Sequence, residues 1–240
     1  DQLATMQKRV AEAGIAFMAD FPRRVAPATV RLKELIATRL GQPRLLFCHH
    51  RHALKSFASN GKGTNPYSPE ASMNRDLLQM VDWCQYVVGQ HATSVNGFWH
   101  QSPDQACADY QTLSLDFSRA EQYGQGPLAQ ISCGMYMPTM WPEAISFRPP
   151  AALQVCCERG IAFVDFPSTL IWFDEAGRHL ESLDHERPAG ELLLWQFHRQ
   201  VTRFVRDTSN LQDVFSALRV LALARKSFNE ARRVFMSEEI

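Results

Sequence analysis

The chain has 240 residues, 45% of them hydrophobic, which is enough to bury one good-sized core or, at a stretch, two small ones. Its 25 Lys and Arg cancel its 25 Asp and Glu, so no global field favours a polyanion or an acidic membrane surface, and a nucleic-acid partner is not expected. Apolar runs such as Ile161 to Val164 fall far short of the ~20 residues of a membrane helix, so neither a membrane span nor a signal peptide is expected.

The sequence opens at Asp1 inside a helical pattern (Leu3, Met6, Val10, with Gly14 as a stop), which reads as part of a longer chain. Ile15 to Phe21 has the length of a strand, and Pro27 suits the start of a helix with the stripe Ala28, Leu32, Leu35, Ile36 ending on Gly41. Leu45 to His50 is a strand candidate, and Ser59 to Pro69 is a loop. From Met73 to Val88 the period is helical, with Leu77, Met80, Val81, Cys84 and Val88 on one side. At about 100° per residue, Arg75, Gln79, Asp82 and Tyr86 form a narrow stripe on the other side, facing water, a cleft or a partner.

The period then changes. Strand-like segments are Thr93 to His100, Tyr110 to Ser118, Leu128 to Met137, Leu153 to Cys157, Gly160 to Phe166 and Leu170 to Phe173, and a turn at Asp174 to Gly177 leads into another at Arg178 to Leu183. Leu113, Leu115 and Phe117 alternate with Thr112, Ser114 and Asp116, and Ile131, Cys133 and Met135 with Gln130, Ser132 and Tyr136, so one face of the sheet is apolar and the other polar but nearly uncharged. Two helices close the chain, with stripes Leu194, Phe197, Val201, Phe204, Val205 and Leu211, Val214, Phe215, Leu218, Leu221, Ala222, and Ser209 with Gln212 forms a capping box for the second. Strands in a block with helices before and after predict an α+β fold, one sheet with helices packed on its apolar face.

Gly61-Lys62-Gly63 is the nearest approach to a dinucleotide fingerprint, but Pro66 stands at the third glycine position, so no nucleotide site is expected in this chain. His50 and His52 share a strand face as a two-His platform, but no third ligand lies at a diagnostic spacing; the cluster reads as a wet strand end, with no metal expected. His198 lies on an apolar stripe and reads as a core histidine. Cys156 and Cys157 point to opposite faces with no activating base assignable. The six cysteines lack CxxC spacing and behave as small hydrophobes, which suits a reducing, cytoplasmic setting.

The segment AGIAFMADFPRRVAPATVRLKELIATRLGQPRLLF (13–47), the helix and strand MNRDLLQMVDWCQYVVGQHATSVNG (73–97) and the closing helix LQDVFSALRVLALARKSFNEARRV (211–234) resemble the Gfo/Idh/MocA family of NAD(P)-dependent oxidoreductases, which includes glucose-fructose oxidoreductase and inositol dehydrogenase. The resemblance implies an open, largely antiparallel sheet whose free face packs against another subunit. It also implies that residues 1–27 are the end of, and the crossing from, a missing nucleotide-binding domain, and 28–240 a substrate-binding and oligomerisation domain. NAD or NADP would then serve the parent enzyme, with none bound by this chain alone, and the substrate would be a sugar or cyclitol-like hydroxyl.

The family's active-site helix carries Asp-x-x-x-His-x-x-Asp. With Asp82 aligned on the last position, Gln79 stands where the family has histidine and Arg75 where it has aspartate, with Asp76 one residue later. Glutamine hydrogen-bonds a hydroxyl or carbonyl but exchanges no proton near neutral pH, whereas arginine favours an anionic or strongly polar group. The resemblance therefore implies substrate binding by Arg24, Arg75, Gln79 and Asp82, with an anchoring role as the other reading of Asp82, and leaves the catalytic residue unassigned. The departure at Gln79 also motivates an alternative, a catalytically inactive relative serving as a sugar-binding or dimerisation module.

Overall fold

The structure, a computed structural model, describes residues 2–54, 69–103, 108–119, 122–138, 143, 147, 151–165, 168–202 and 209–239. Helix α1 (Gln2–Ala13) leads through residues 14–21 into α2 (Pro22–Val25) and α3 (Pro27–Leu35). Pro27 opens α3 at a position where a missing N–H costs nothing. The helix widens into a π turn (Ile36–Leu40) and stops at Gly41, whose φ of 77° suits glycine.

Strand β1 (Pro43–Leu54) is followed by α4 (Pro69–Val88), β2 (Ser94–His100), β3 (Tyr110–Asp116) and β4 (Leu128–Pro138). Next come β5 (Leu153–Cys157), β6 (Ile161–Asp165), β7 (Thr169–Asp174), β8 (Gly177–Ser182), the helices α5 (Ala189–Thr202) and α6 (Ser209–Glu230), and β9 (Val234–Phe235). The strands make one nine-stranded sheet in the order β8-β7-β6-β5-β1-β4-β3-β2-β9. Every pairing is antiparallel except β1 with β4. That parallel pair lies centrally, because the chain leaves β1 through α4 and returns by way of β2 and β3.

Alternation fixes which face is covered. Leu46 and Cys48 of β1, Leu113 and Leu115 of β3, and Ile131 and Cys133 of β4 are buried, as are Met73, Leu77, Met80, Cys84 and Val87 of α4. The helices α3, α4 and α6 lie on this face, over β6–β7, β1–β4 and β2 respectively. The fold is therefore the expected α+β sheet with helices on one face. The other face carries the expected uncharged polar positions, such as Thr112, Ser114 and Ser132, beside exposed Leu45, Phe47, Phe98, Phe173 and Leu180, so it is more apolar than β3 and β4 alone indicate. Among the described residues no helix is long and apolar enough to cross a membrane.

Several expectations are corrected. Residues 15–21 form no strand: only Phe21 is buried, and the run pairs with no neighbour. The apolar stripe of α5 is not core, since Leu194, Phe197 and Val201 are exposed; α5 packs on α2 while α3 occupies the sheet over β6 and β7. His198 is accordingly exposed. The buried line of α6 runs through Leu211, Ala217, Val220, Leu223 and Ala224, with Leu218 outside, because small residues let the helix settle close to β2. The Gly61 to Gly63 loop, most of the Ser59 to Pro69 segment, Phe204, Val205, Cys107 and the side chain of Ser209 lie outside the described residues.

Candidate active-site region at the α2–α4 junction

The polar stripe of α4 divides into an open and a covered half. Arg75 is exposed and Gln79 half-buried, whereas Asp82 is only 1% exposed. The cover is α2. Arg24 of α2 grips both carboxylate oxygens of Asp82, with Nε at 2.7 Å from Oδ2, and donates from Nη1 to Asp213 of α6 at 2.7 Å. One guanidinium thus ties α2, α4 and α6 together by charge-assisted bonds. Burial alone would lower the Arg24 pKa, but the two carboxylates outweigh it and hold the group firmly protonated. Burial, aided by the nearby Asp213, raises the Asp82 carboxyl above its usual value despite Arg24.

Tyr86, the last residue of the stripe, lies under two cations, with Arg24 5.2 Å and Lys33 5.4 Å from its ring centre. Lys33 Nζ also donates to the Tyr86 and Val87 carbonyls, which satisfies the C-terminus of α4. Trp83, fully buried, donates its indole N–H to Thr29 Oγ1 of α3 at 2.9 Å. The position and pitch of α4 are therefore set by α2 and α3.

A cavity of ≈ 510 Å³ opens beside this junction, lined by Gln79 together with Pro22, Arg23, Ala26, Ser168 and Arg187. Neighbouring positions on α2 point about 100° apart, so Arg23 reaches the cavity while Arg24 turns to Asp82. Arg23 also stands over the Trp83 ring at 5.3 Å. Of the residues singled out from the sequence, the structure places Gln79 on this cavity, Arg24 and Asp82 joined beside it, and Arg75 on the exposed part of α4. A larger cleft of ≈ 720 Å³, lined by Gln42, Arg44, Val88 and Arg119, lies at the other end of α4 and includes none of them.

Sequence spacing also misses a third partner for the two histidines. Leu46 and Cys48 direct the inner face of β1 into the core, and His50 and His52 continue that face. Beyond Arg51 the pairing with β4 slips, Arg51 facing Gly134 and Ala53 facing Met137, which is an irregularity that re-aims a side chain. Asp76 of α4 meets the histidines there, with its Oδ2 2.9 Å from His52 Nε2. Burial and the neighbouring His52 push His50 down to about 4, so its ring is neutral at physiological pH. Burial raises Asp76, but the proximity of His52, His50 and Arg23 outweighs it and holds the carboxyl below its ordinary range. Cys157 lies on a different strand and is pushed up to about 12 by burial, which suits an inert thiol.

No protein-family profile matches the chain, and no curated protein matches it in sequence. Solved structures do match. The aldose-aldose oxidoreductase of Caulobacter crescentus, complexed with glycerol, superposes with a TM-score of 0.75 at 13% identity, over 97% of this chain and 68% of its own. The UDP-N-acetylglucosamine 3-dehydrogenase of Acidithiobacillus ferrooxidans gives 0.67 at 18% identity, over 96% and 66%. An oxidoreductase of Agrobacterium radiobacter in complex with NAD+, L-tartaric acid and magnesium gives 0.70 at 12%, over 98% and 69%. At such identities the likeness is one of fold, and it spans about two thirds of the longer chains. This chain therefore shares its fold with about two thirds of each of these longer oxidoreductase chains.

Proposed function

We propose that the chain is the substrate-binding and oligomerisation part of an NAD(P)-dependent oxidoreductase acting on a sugar or cyclitol-like hydroxyl. The observation that carries this reading is that Gln79, which the sequence resemblance aligns with the histidine of the family's active-site helix, lines a cavity beside α2. Residues 1–27 are the end of, and crossing from, a nucleotide-binding domain, and 28–240 the substrate domain. Gln79 and Arg75 bind the substrate as hydrogen-bonding and charged groups, not as proton carriers. Arg24 and Asp82 act beside it, as the strut that fixes the distance between α2 and α4.

NAD or NADP serves the parent enzyme. The chain alone binds neither, because the fingerprint turn that meets a pyrophosphate is not among its motifs. Calorimetric titration of the chain with NAD(H) tests this division of labour: no heat of binding is expected, and micromolar affinity would overturn it. A reducing, cytoplasmic setting suits the free thiols of Cys48, Cys84, Cys133, Cys156 and Cys157.

The glutamine itself favours a second reading, a catalytically inactive relative retained for sugar binding or dimerisation. A strand, a GxGxxG turn and an EKP-like lysine encoded upstream in the same frame support the enzyme; a reading frame starting near Asp1 supports the module.

A further inference from the structure

The geometry points to a metal site formed by His50, His52 and Asp76, which takes a divalent first-row transition ion such as zinc and leaves a coordination position open. One ligand atom from each residue lies within 4.8 Å of the others. The residues come from two successive elements, β1 and α4, which the fold brings together at the rim of the core. Below them the same face of β1 carries fully apolar neighbours, Leu46 and Cys48, so replacing two further hydrophobic positions with imidazoles calls for a compensating partner.

A histidine–aspartate pair alone is an incomplete explanation. His52 Nε2 lies 2.9 Å from Asp76 Oδ2, and among the described residues this buried nitrogen makes no well-formed hydrogen bond. Two ligands of one ion stand at such a separation without a proton between them, since metal–nitrogen and metal–oxygen bonds of about 2.0–2.2 Å place adjacent donors roughly 3 Å apart. The His50 ring stands edge to face against His52, 4.2 Å between centres, so both imidazoles crowd one point.

Two imidazoles and one carboxylate suit zinc, iron or cobalt; magnesium and calcium prefer oxygen ligands throughout. Three protein ligands leave a position for water or a substrate oxygen, as in sites that do chemistry. The side chains of His52 and Asp76 are 23% and 21% exposed, which sets the cluster just beneath the surface. The site stands whether or not the parent protein transfers hydride.

The test titrates the metal-stripped protein with zinc chloride at neutral pH. One ion per chain is expected to bind. His50→Ala and Asp76→Asn should each weaken it by at least the ~10–100-fold that losing even a supporting residue costs at such sites, while His100→Ala, on another strand, leaves it unchanged. Imidazole NMR signals of the unaltered protein decide the matter independently of how the variants fold. Zinc should move the His50 and His52 signals and spare that of His198. Absence of zinc binding by the unaltered protein, variants that bind as it does, or shifts that avoid His50 and His52 would overturn the site.

Discussion

Arg24 and Asp82 stand 58 residues apart and meet in a two-pronged ion pair, with the carboxylate buried and the arginine side chain 18% exposed. The pair is where α2 grips α4, the candidate active-site helix. Arg24→Ala leaves Asp82 as an uncompensated buried charge, and such losses cost about 3–5 kcal/mol. Chemical denaturation should report a loss of that order for Arg24→Ala. The Arg24→Ala, Asp82→Ala double variant should lose less than the sum of the two single variants. Strict additivity would mean that the residues do not act as a pair.

Thr29 and Trp83 join α3 to the same helix in a fully buried contact. Thr29→Val keeps the shape and removes the acceptor for the indole N–H, a change that costs about 1–3 kcal/mol. Thr29→Ser should retain most of the stability. A valine variant as stable as the parent in urea would show that the hydrogen bond does not hold α4 in place.

Stability at low pH should follow Glu238. The Arg232 guanidinium and the Phe235 amide hold its carboxyl at about 2, against 4.5 for an ordinary glutamate. A carboxylate whose pKa is lower in the folded state contributes stability that is complete above its unfolded value and fades as the pH falls through the folded one. The unaltered protein should therefore exceed Glu238→Gln in stability at pH 6, and the gap should close between 4.5 and about 2. A gap that is constant across that range would remove Glu238 from the account.

The uncovered sheet face should bring two or more chains together. Leu45, Phe47, Phe98, Phe173 and Leu180 are exposed on it among uncharged polar positions, and large apolar side chains left in water on one uncovered face favour association. Light scattering should give a multiple of 27.3 kDa, and Phe47→Lys should shift it toward the monomer. A monomer at 27.3 kDa in the unaltered protein would contradict the oligomer.

Local pattern carried most of the fold. The alternation in Tyr110 to Ser118 and Leu128 to Met137 has a direct counterpart in β3 and β4, and Pro27 and Gly41 bracket α3 and its π turn as their backbone preferences require. What the pattern misplaced depended on which surfaces had partners. The α5 stripe has helical period, but α3 already occupies the sheet over β6 and β7, so Leu194 and Phe197 stay outside and His198 with them. At the site, periodicity put Arg75, Gln79, Asp82 and Tyr86 on one stripe, but not that α2 would cover its second half. Asp76 was visible as a residue but not as a partner of His50 and His52, since α4 and β1 meet only through the tertiary fold.

Hydride transfer measures the central claim most directly. If the proposed division holds, a longer protein joining this chain to a nucleotide-binding domain should reduce NAD+ or NADP+ with at least one member of a panel of sugars and cyclitols, followed by the absorbance of the reduced nicotinamide. Arg75→Ala and Gln79→Ala should each lower kcat/KM by roughly tenfold or more, the effect of losing ~1.4 kcal/mol of transition-state binding. No reduction with any of the panel, or kinetic constants untouched by both substitutions, would contradict the assignment of this helix to the substrate.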